Sequence, residues 1–307
     1  MSKFAIVFAG QGSQSVGMMA GFVDMPVVQR TFEEASDILK VNLWQMMVEG
    51  PAEVQNQTIN TQPLMLTAGV ATYRAWLEKN GATAAYFAGH SLGEYTALVA
   101  AESLTFADAL PLVRYRAQAM QDAVPEGTGG IAAVLGLDVE LVRAVCRDAA
   151  QGEVLDAVNL NSPGQIVIAG HKTAVERGML LAKERGAKRA LLLPMSVPSH
   201  CALMQDAALK LAQALKHVPI SAPKIRVVHN VLADVVSDLN GIGDALVAQL
   251  YSRVRWIESV QKLRSLGATR ALECGPGKAL SGMVKRIDSD LPCAPIGTSV
   301  EFVTQLG

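Results

Sequence analysis

Residues 84–101 read Ala84-Ala85-Tyr86-Phe87-Ala88-Gly89-His90-Ser91-Leu92-Gly93-Glu94-Tyr95-Thr96-Ala97-Leu98-Val99-Ala100-Ala101. A short apolar run leads into Gly-His-Ser-Leu-Gly, and a stretch of small residues with helical character follows. Strand, G-x-S-x-G and helix in that order form the nucleophile-elbow pattern, a sharp turn that lifts one serine hydroxyl clear of the backbone. Gly89 and Gly93 suit such a turn. A side chain at either place would collide with the neighbouring strand and helix, and glycine tolerates unusual backbone angles. The helix beginning at Leu92 would point free N–H groups and its positive dipole end at Ser91, where an oxyanion forms during acyl transfer. The alternative is a serine in an ordinary glycine-flanked turn.

Upstream of the elbow, Phe4 to Ala9 reads as a fully buried strand and Gly10-Gln11-Gly12-Ser13-Gln14 as the loop leaving it. The loop fails both phosphate-cradling patterns. Ser15 stands where the dinucleotide motif needs its third glycine, and Met18 follows Gly17 where the Walker motif needs lysine. A donor role for Gln11 survives. Residues 26–48 read as helical. Thr61-Gln62-Pro63 reads as the opening of another helix, with proline in its first turn, and Phe106 to Gln121 as an amphipathic helix carrying Arg114 and Arg116. Alternating helices and buried strands predict an α/β fold with a mainly parallel sheet.

Composition changes at Pro125-Glu126-Gly127-Thr128-Gly129-Gly130. The next elements follow the order β-α-β-β-α-β, the split βαβ or ferredoxin-like arrangement. The expected organisation is a discontinuous α/β-hydrolase-like large domain, residues 1–124 and 197–307, with an inserted ferredoxin-like small domain at 125–196. The two exits of the insertion would flank a cleft. Later strands are expected at Ile225–Asn230 and Thr269–Cys274, the latter ending at Gly275-Pro276-Gly277 before a basic helix.

The chain of 307 residues is 50% hydrophobic and 18% charged, which suits a large buried core. Its 27 basic and 28 acidic residues, net charge −1, carry no signature of nucleic-acid or membrane-surface binding. Cys146, Cys201, Cys274 and Cys293 are scattered, without metal-ligand spacing, and read as reduced thiols. The first apolar run is too short for a signal peptide and no run approaches a membrane span, so a cytoplasmic protein is expected.

A serine hydroxyl needs a base to accept its proton, and histidine is the usual one. Among the five histidines, His200 in Ser196-Val197-Pro198-Ser199-His200-Cys201 lies where the small domain hands the chain back, facing the cleft. The alternative is a satisfied core histidine. His90 is expected to point to the opposite side of the elbow in a structural role, and His171, His217 and His229 have no supporting context. No Asp or Glu stands in a diagnostic position between Ser91 and His200. A backbone carbonyl or amide side chain would then orient the imidazole.

Seven pieces together carry a resemblance over nearly the whole chain. They are Phe8-Ala9-Gly10-Gln11-Gly12-Ser13-Gln14, Gly89-His90-Ser91-Leu92-Gly93-Glu94-Tyr95, Arg116 with Met120-Gln121, Val197-Pro198-Ser199-His200, Val228-His229-Asn230, Gln249, and Glu273-Cys274-Gly275-Pro276-Gly277. The sequence resembles the bacterial malonyl-CoA:acyl carrier protein transacylases of the dissociated, type II fatty-acid synthase. The resemblance implies Ser91 as the nucleophile that becomes malonylated and His200 as base, then acid. It implies an oxyanion hole from the Leu92 and Gln11 N–H groups, Arg116 paired with the malonyl carboxylate, and carbonyls at Asn230 and Gln249 orienting His200. A guanidinium presents a planar two-donor fork to a carboxylate, which would discriminate malonyl from acetyl groups.

The implied reaction is ping-pong transfer from malonyl-CoA to the phosphopantetheine thiol of holo acyl carrier protein. It requires no metal or redox cofactor, and a monomer is expected. Lys183, Arg185, Lys188 and Arg189, or Lys278, Lys285 and Arg286, are candidate docking charges for an acidic carrier, or else solvated faces. Asn159 and Asn161 read either as cleft-lining or as turn-capping residues. Arg253 stands where the family commonly has proline, which bears on the local loop shape. Three other readings stay open: the malonyl transferase subunit of a malonate decarboxylase, a serine esterase or thioesterase, and a non-catalytic carrier-binding module.

Overall fold

The computed structural model describes residues 3–195, 197–236 and 238–306. Ten strands are present among the described residues: β1 (Lys3–Phe8), β2 (Tyr86–Gly89), β3 (Gly129–Leu135), β4 (Leu155–Ser162), β5 (Gln165–His171), β6 (Arg189–Leu192), β7 (Arg226–His229), β8 (Asp234–Val235), β9 (Ala268–Cys274) and β10 (Cys293–Pro295). Helices α1 (Pro26–Leu39), α2 (Leu43–Glu49), α3 (Ala52–Gln55) and α4 (Thr58–Glu78) precede the elbow, and α5 (Gly93–Ala100) and α6 (Phe106–Asp122) follow it. Then come α7 (Val139–Ala150), α8 (Lys172–Glu184), α9 (Gln205–Leu215), α10 (Leu239–Tyr251), α11 (Trp256–Ser265), α12 (Ala279–Ile287) and α13 (Ser299–Leu306).

The first sheet has the order β10-β9-β1-β2-β7-β8, parallel except for the β7–β8 pair. β1 lies at its centre, with Val7 in register with Ala88 on one side and Glu273 on the other. Buried on both faces, β1 reads as a continuous apolar run, as parallel strands covered by helices do. The consequence for function is directional. β1, β2 and β9 run the same way, so Gln11, Ser91 and Gly275 all leave from the carboxyl edge of the sheet, the edge where open parallel sheets bind ligands.

The second sheet, β4-β5-β3-β6, is antiparallel throughout and has the β-α-β-β-α-β order anticipated from the sequence. Alternation sorts its side chains. Ala132, Val134, Ile166 and Ile168 pack under α7 and α8, while Ile131, Val158, Val167 and Ala169 face Cys201. A cleft therefore separates this face from the carboxyl edge of the first sheet. The chain is a mixed α/β protein with a parallel-rich sheet and a separate antiparallel one. No helix of the described residues is long and apolar enough to cross a membrane.

Local chemistry explains most element ends. Asn42, Thr105, Asp138 and Asp238 each accept a backbone N–H at the start of α2, α6, α7 and α10. The helical stretch read across 26–48 is two helices, because Lys40 adopts a left-handed φ of 55° and Asn42 starts a new one. One expectation needs correction. Pro63 lies inside α4 rather than in its first turn. The helix begins earlier, at Thr58, and is apolar and buried around most of its surface, so packing outweighs the missing proline N–H. The segment containing Arg253 is extended, and Val254 exchanges backbone hydrogen bonds with Val158 (2.8 Å) and Leu160 (3.0 Å). It stitches the end of α10 to β4.

Candidate active site

The elbow is forced by backbone contact. A Cβ on Gly89 would stand 1.9 Å from the carbonyl carbon of Gly93, and one on Gly93 would stand 2.1 Å from the carbonyl oxygen of Phe8. Ser91 sits between them at φ 52°, a strained angle for a residue with a side chain. The strain is braced by Asn230, at the end of β7. Its Oδ1 accepts the Ser91 N–H (2.7 Å) and its Nδ2 donates to the Gly89 carbonyl (2.6 Å), so one amide spans both sides of the turn.

His200 is almost fully buried, with its Nε2 2.8 Å from Ser91 Oγ. Its Nδ1 lies 2.7 Å from the Gln249 carbonyl oxygen. A carbonyl only accepts, so the network assigns the proton to Nδ1 and leaves the Nε2 lone pair for the Ser91 hydroxyl. Gln249 is in the last turn of α10, where carbonyls lack intrahelical partners. The Leu250 carbonyl there accepts the His200 backbone N–H (2.9 Å). The imidazole thus rests on a helix C-terminus, whose negative dipole end favours the transient imidazolium. Asn230, expected to share in orienting His200, does not touch it. Its carbonyl accepts from the Arg255 N–H (3.1 Å) and its side chain is committed to the elbow.

Arg116 reaches in from α6 with 1% of its surface exposed. Its Nη1 donates to Gln62 Oε1 (2.7 Å), and its Nη2 to Gln249 Oε1 (2.8 Å) and Ser91 Oγ (3.3 Å). The guanidinium carbon lies 5.4 Å from the centre of the Tyr95 ring, and Nε has no partner among the described residues. All these acceptors are neutral, and no carboxylate of the described residues forms an ion pair with Arg116. Burial lowers its pKa from the ordinary arginine value. A buried cation in no ion pair among the described residues is costly, and the site can receive an anion there.

Ser91, His200, Arg116 and Gln62 line a cleft of about 420 Å³ between the sheets, together with Gln11, Leu92, His90 and Asn161. Leu92 caps the start of α5 and Gln11 lies in the turn after β1. Neither backbone N–H is engaged by a hydrogen bond among the described residues. His90 is not turned away from the cleft. Its Nε2 pairs with Asn161 Oδ1 (2.8 Å) across to the second sheet, while Asn159 Oδ1 in the same wall has no partner among the described residues. Of the basic residues considered for docking, Arg286 donates to Ser162 and Gln165 and Arg185 pairs with Asp148, so both are already engaged.

The chain belongs to the acyl transferase domain family. Residues 5–282 match that family. The chain is 52% identical over 297 residues to the malonyl CoA-acyl carrier protein transacylase of Salmonella typhimurium, covering 96% of each chain. It superposes on the acyl-carrier-protein S-malonyltransferase of Burkholderia pseudomallei with a TM-score of 0.97 at 54% identity and 99% coverage of both. A malonyl-transacylase solved in complex with a type II PKS acyl-carrier protein matches with a TM-score of 0.98 at 48% identity, again with 99% coverage of both. This acyl transferase is therefore an enzyme of acyl group transfer.

Sequence reading missed two residues of this acyl transferase site. Glu94, fully buried in the first turn of α5, accepts from His229 Nδ1 (2.7 Å), the Asn230 N–H (3.0 Å) and Gln249 Nε2 (2.8 Å). Gln62 is a buried amide in an otherwise apolar stretch of α4. The available signal was a polar residue on a buried face, which periodicity alone does not separate from a solvated one. Glu273 is a structural counterpart. Buried at the end of β9, it takes the Leu280 (3.0 Å) and Ser281 (2.7 Å) N–H groups at the start of α12.

Burial first, and the Arg116 charge second, lower the pKa of His200 to about 3. The neutral, proton-accepting form then persists well below the ordinary histidine value of about 6.5. Loading of Ser91 measured by rapid quench should stay nearly flat from about pH 7.5 down to about pH 5. An acidic limb centred near pH 6.5 would contradict this. For folding the sign is the same. The unfolded chain takes up the proton first, so the contribution of neutral His200 to stability is full above about pH 6.5 and erodes as pH falls toward 3.

Proposed function

We propose that this acyl transferase carries a malonyl group from malonyl-CoA to the phosphopantetheine thiol of an acyl carrier protein through a malonyl-Ser91 ester. The observation that carries the reading is the buried Arg116 guanidinium, in no ion pair with a carboxylate of the described residues and 3.3 Å from the Ser91 oxygen. It is placed to hold the free carboxylate of a short dicarboxylic acyl group while its thioester carbon meets the nucleophile. In the first half-reaction Ser91 Oγ attacks that carbon as its proton passes to His200 Nε2. The negative oxygen of the tetrahedral intermediate is received by the Leu92 and Gln11 N–H groups. The C–S bond then breaks, and the proton on His200 goes to the departing CoA thiolate. In the second half-reaction the carrier thiol gives its proton to His200 and attacks the ester carbonyl, and Ser91 leaves as the alcohol with that proton.

The chemistry closes with the side chains and backbone groups of the chain, so the reading includes no metal or redox cofactor. It places the enzyme in the cytoplasm as a monomer, supplying malonyl groups for fatty-acid elongation. Lys183, Lys188, Arg189, Lys278 and Lys285 are the charges this reading assigns to an acidic carrier.

Intact-mass measurement after incubation with malonyl-CoA tests the reading. The expected result is one malonyl adduct, absent in Ser91→Ala and discharged by holo acyl carrier protein. Release of free malonate without an acceptor would instead indicate a thioesterase, and no adduct at all a binding module.

A further inference from the structure

Gln249 holds three parts of the site at once. Its carbonyl orients His200, its Oε1 accepts from Arg116, and its Nε2 donates to the Ser91 carbonyl (3.1 Å) and to Glu94 (2.8 Å). A primary amide has two nearly isosteric ends, and nothing in the glutamine itself says which faces the arginine. The surroundings decide. On the Nε2 side stand a carboxylate oxygen and a carbonyl oxygen, which only accept. On the Oε1 side stands a guanidinium, which only donates. A flipped amide would set oxygen against two oxygens and N–H against N–H.

We propose that Glu94 is a positioning residue for acyl transfer: it fixes the direction of the Gln249 amide and thereby aims Arg116 at the acyl carboxylate. The inference rests on the malonyl-transfer reading above. Glu94 hydrogen-bonds neither Ser91 Oγ nor a cleft-lining group, and its hydrogen bonds reach the site through Gln249 and Asn230. Every group that reaches its carboxylate is a donor: His229 Nδ1, the Asn230 N–H and the Gln249 amide. The oxygen shared by Asn230 and Gln249 ties the brace of the elbow to the holder of the arginine, so nucleophile and carboxylate clamp are set from one fixed point. His229 Nε2 has no partner among the described residues, so no second bond ties the ring to one tautomer.

Two substitutions separate this role from a general electrostatic or folding one. Glu94→Asp keeps the charge but withdraws it by about one methylene. Glu94→Gln keeps the reach and loses the charge. In Glu94→Gln the amide oxygen can still serve Asn230 and Gln249, and its NH2 can face His229 once that ring moves its proton to Nε2. The readout is the ratio of malonyl to acetyl loading of Ser91 by intact mass. It reports the aim of Arg116 and does not move when both acyl donors are slowed equally. A misplacement of about 1 Å costs up to about 10²-fold. Glu94→Asp is therefore expected to lower the ratio about tenfold or more, and Glu94→Gln to leave it within about threefold of wild type. The reverse order, or an unchanged ratio in Glu94→Asp with a melting curve like wild type, overturns the proposal. Failure of wild type to take malonyl at all would instead overturn the functional reading on which it rests.

Discussion

Arg116→Ala is expected to lower malonyl loading of Ser91 by about 10²–10³-fold while leaving acetyl loading within about tenfold of wild type. Truncating one partner of a buried, hydrogen-bonded charge pair costs about 2–5 kcal/mol, much of it the penalty of leaving the other charge unpaired. That penalty falls only on a substrate that brings a carboxylate. Acetyl-CoA brings none, so it loses only the indirect contribution of the Arg116 contacts to Gln62, Gln249 and Ser91. Arg116→Lys should not restore selectivity, because an ammonium is a point charge and cannot span Gln62, Gln249 and a carboxylate as the fork does. A second consequence concerns the base. The Arg116 charge helps hold the His200 pKa down, so its removal should move the acidic limb of acetyl loading to higher pH. Equal losses for malonyl and acetyl, with an unaltered thermal transition, would remove Arg116 from its assigned role.

The second large effect is on folding. Gly89→Ala would place a Cβ 1.9 Å from the Gly93 carbonyl carbon and 2.3 Å from the Glu94 nitrogen. Both atoms are backbone, held between β2 and α5, so no side-chain rotation relieves the clash. Overpacking a core commonly costs about 1–3 kcal/mol, and this contact lies at or beyond the upper end. The expected outcome is a Tm lowered by about 10 °C or an insoluble product, with Ser91 loading lost in either case. Gly282→Ala provides the control. That glycine lies in α12 with open space where its Cβ would go, so alanine should be neutral or raise stability by about 0.5–1 kcal/mol. A Gly89→Ala protein that melts and loads like wild type would defeat the claim that the elbow is sterically determined.

The elbow was legible because the chemistry of the turn is local. Gly89 and Gly93, four positions apart with the serine between them, lie in one short stretch between an apolar strand and a helix, where the motif can be read directly. His200 and Arg116 were legible by motif and by resemblance, and the structure brings both to the Ser91 oxygen. The role of Asn230 was not. It was assigned to the histidine, whereas its side chain closes around the elbow, and only the pairing of β2 with β7 puts it there. The start of α4 at Thr58 was misplaced for a related reason. A proline tolerated inside a buried helix reflects packing partners distant in sequence.

Glu94 shows the limit most clearly. In the sequence it is an acidic residue in the first turn of a helix, where a carboxylate usually complements the helix dipole at the surface. In the folded chain the same residue is wholly enclosed and joined to His229, Asn230 and Gln249, which lie 135 to 155 residues away. By itself the sequence determined the alternation of strands and helices, the elbow and the identity of its nucleophile, because periodicity and steric demand act between neighbours along the chain. Only the tertiary structure decided what orients His200, what Arg116 lacks and what Glu94 holds. Those depend on hydrogen-bond direction and burial between segments that meet at the carboxyl edge of one parallel sheet.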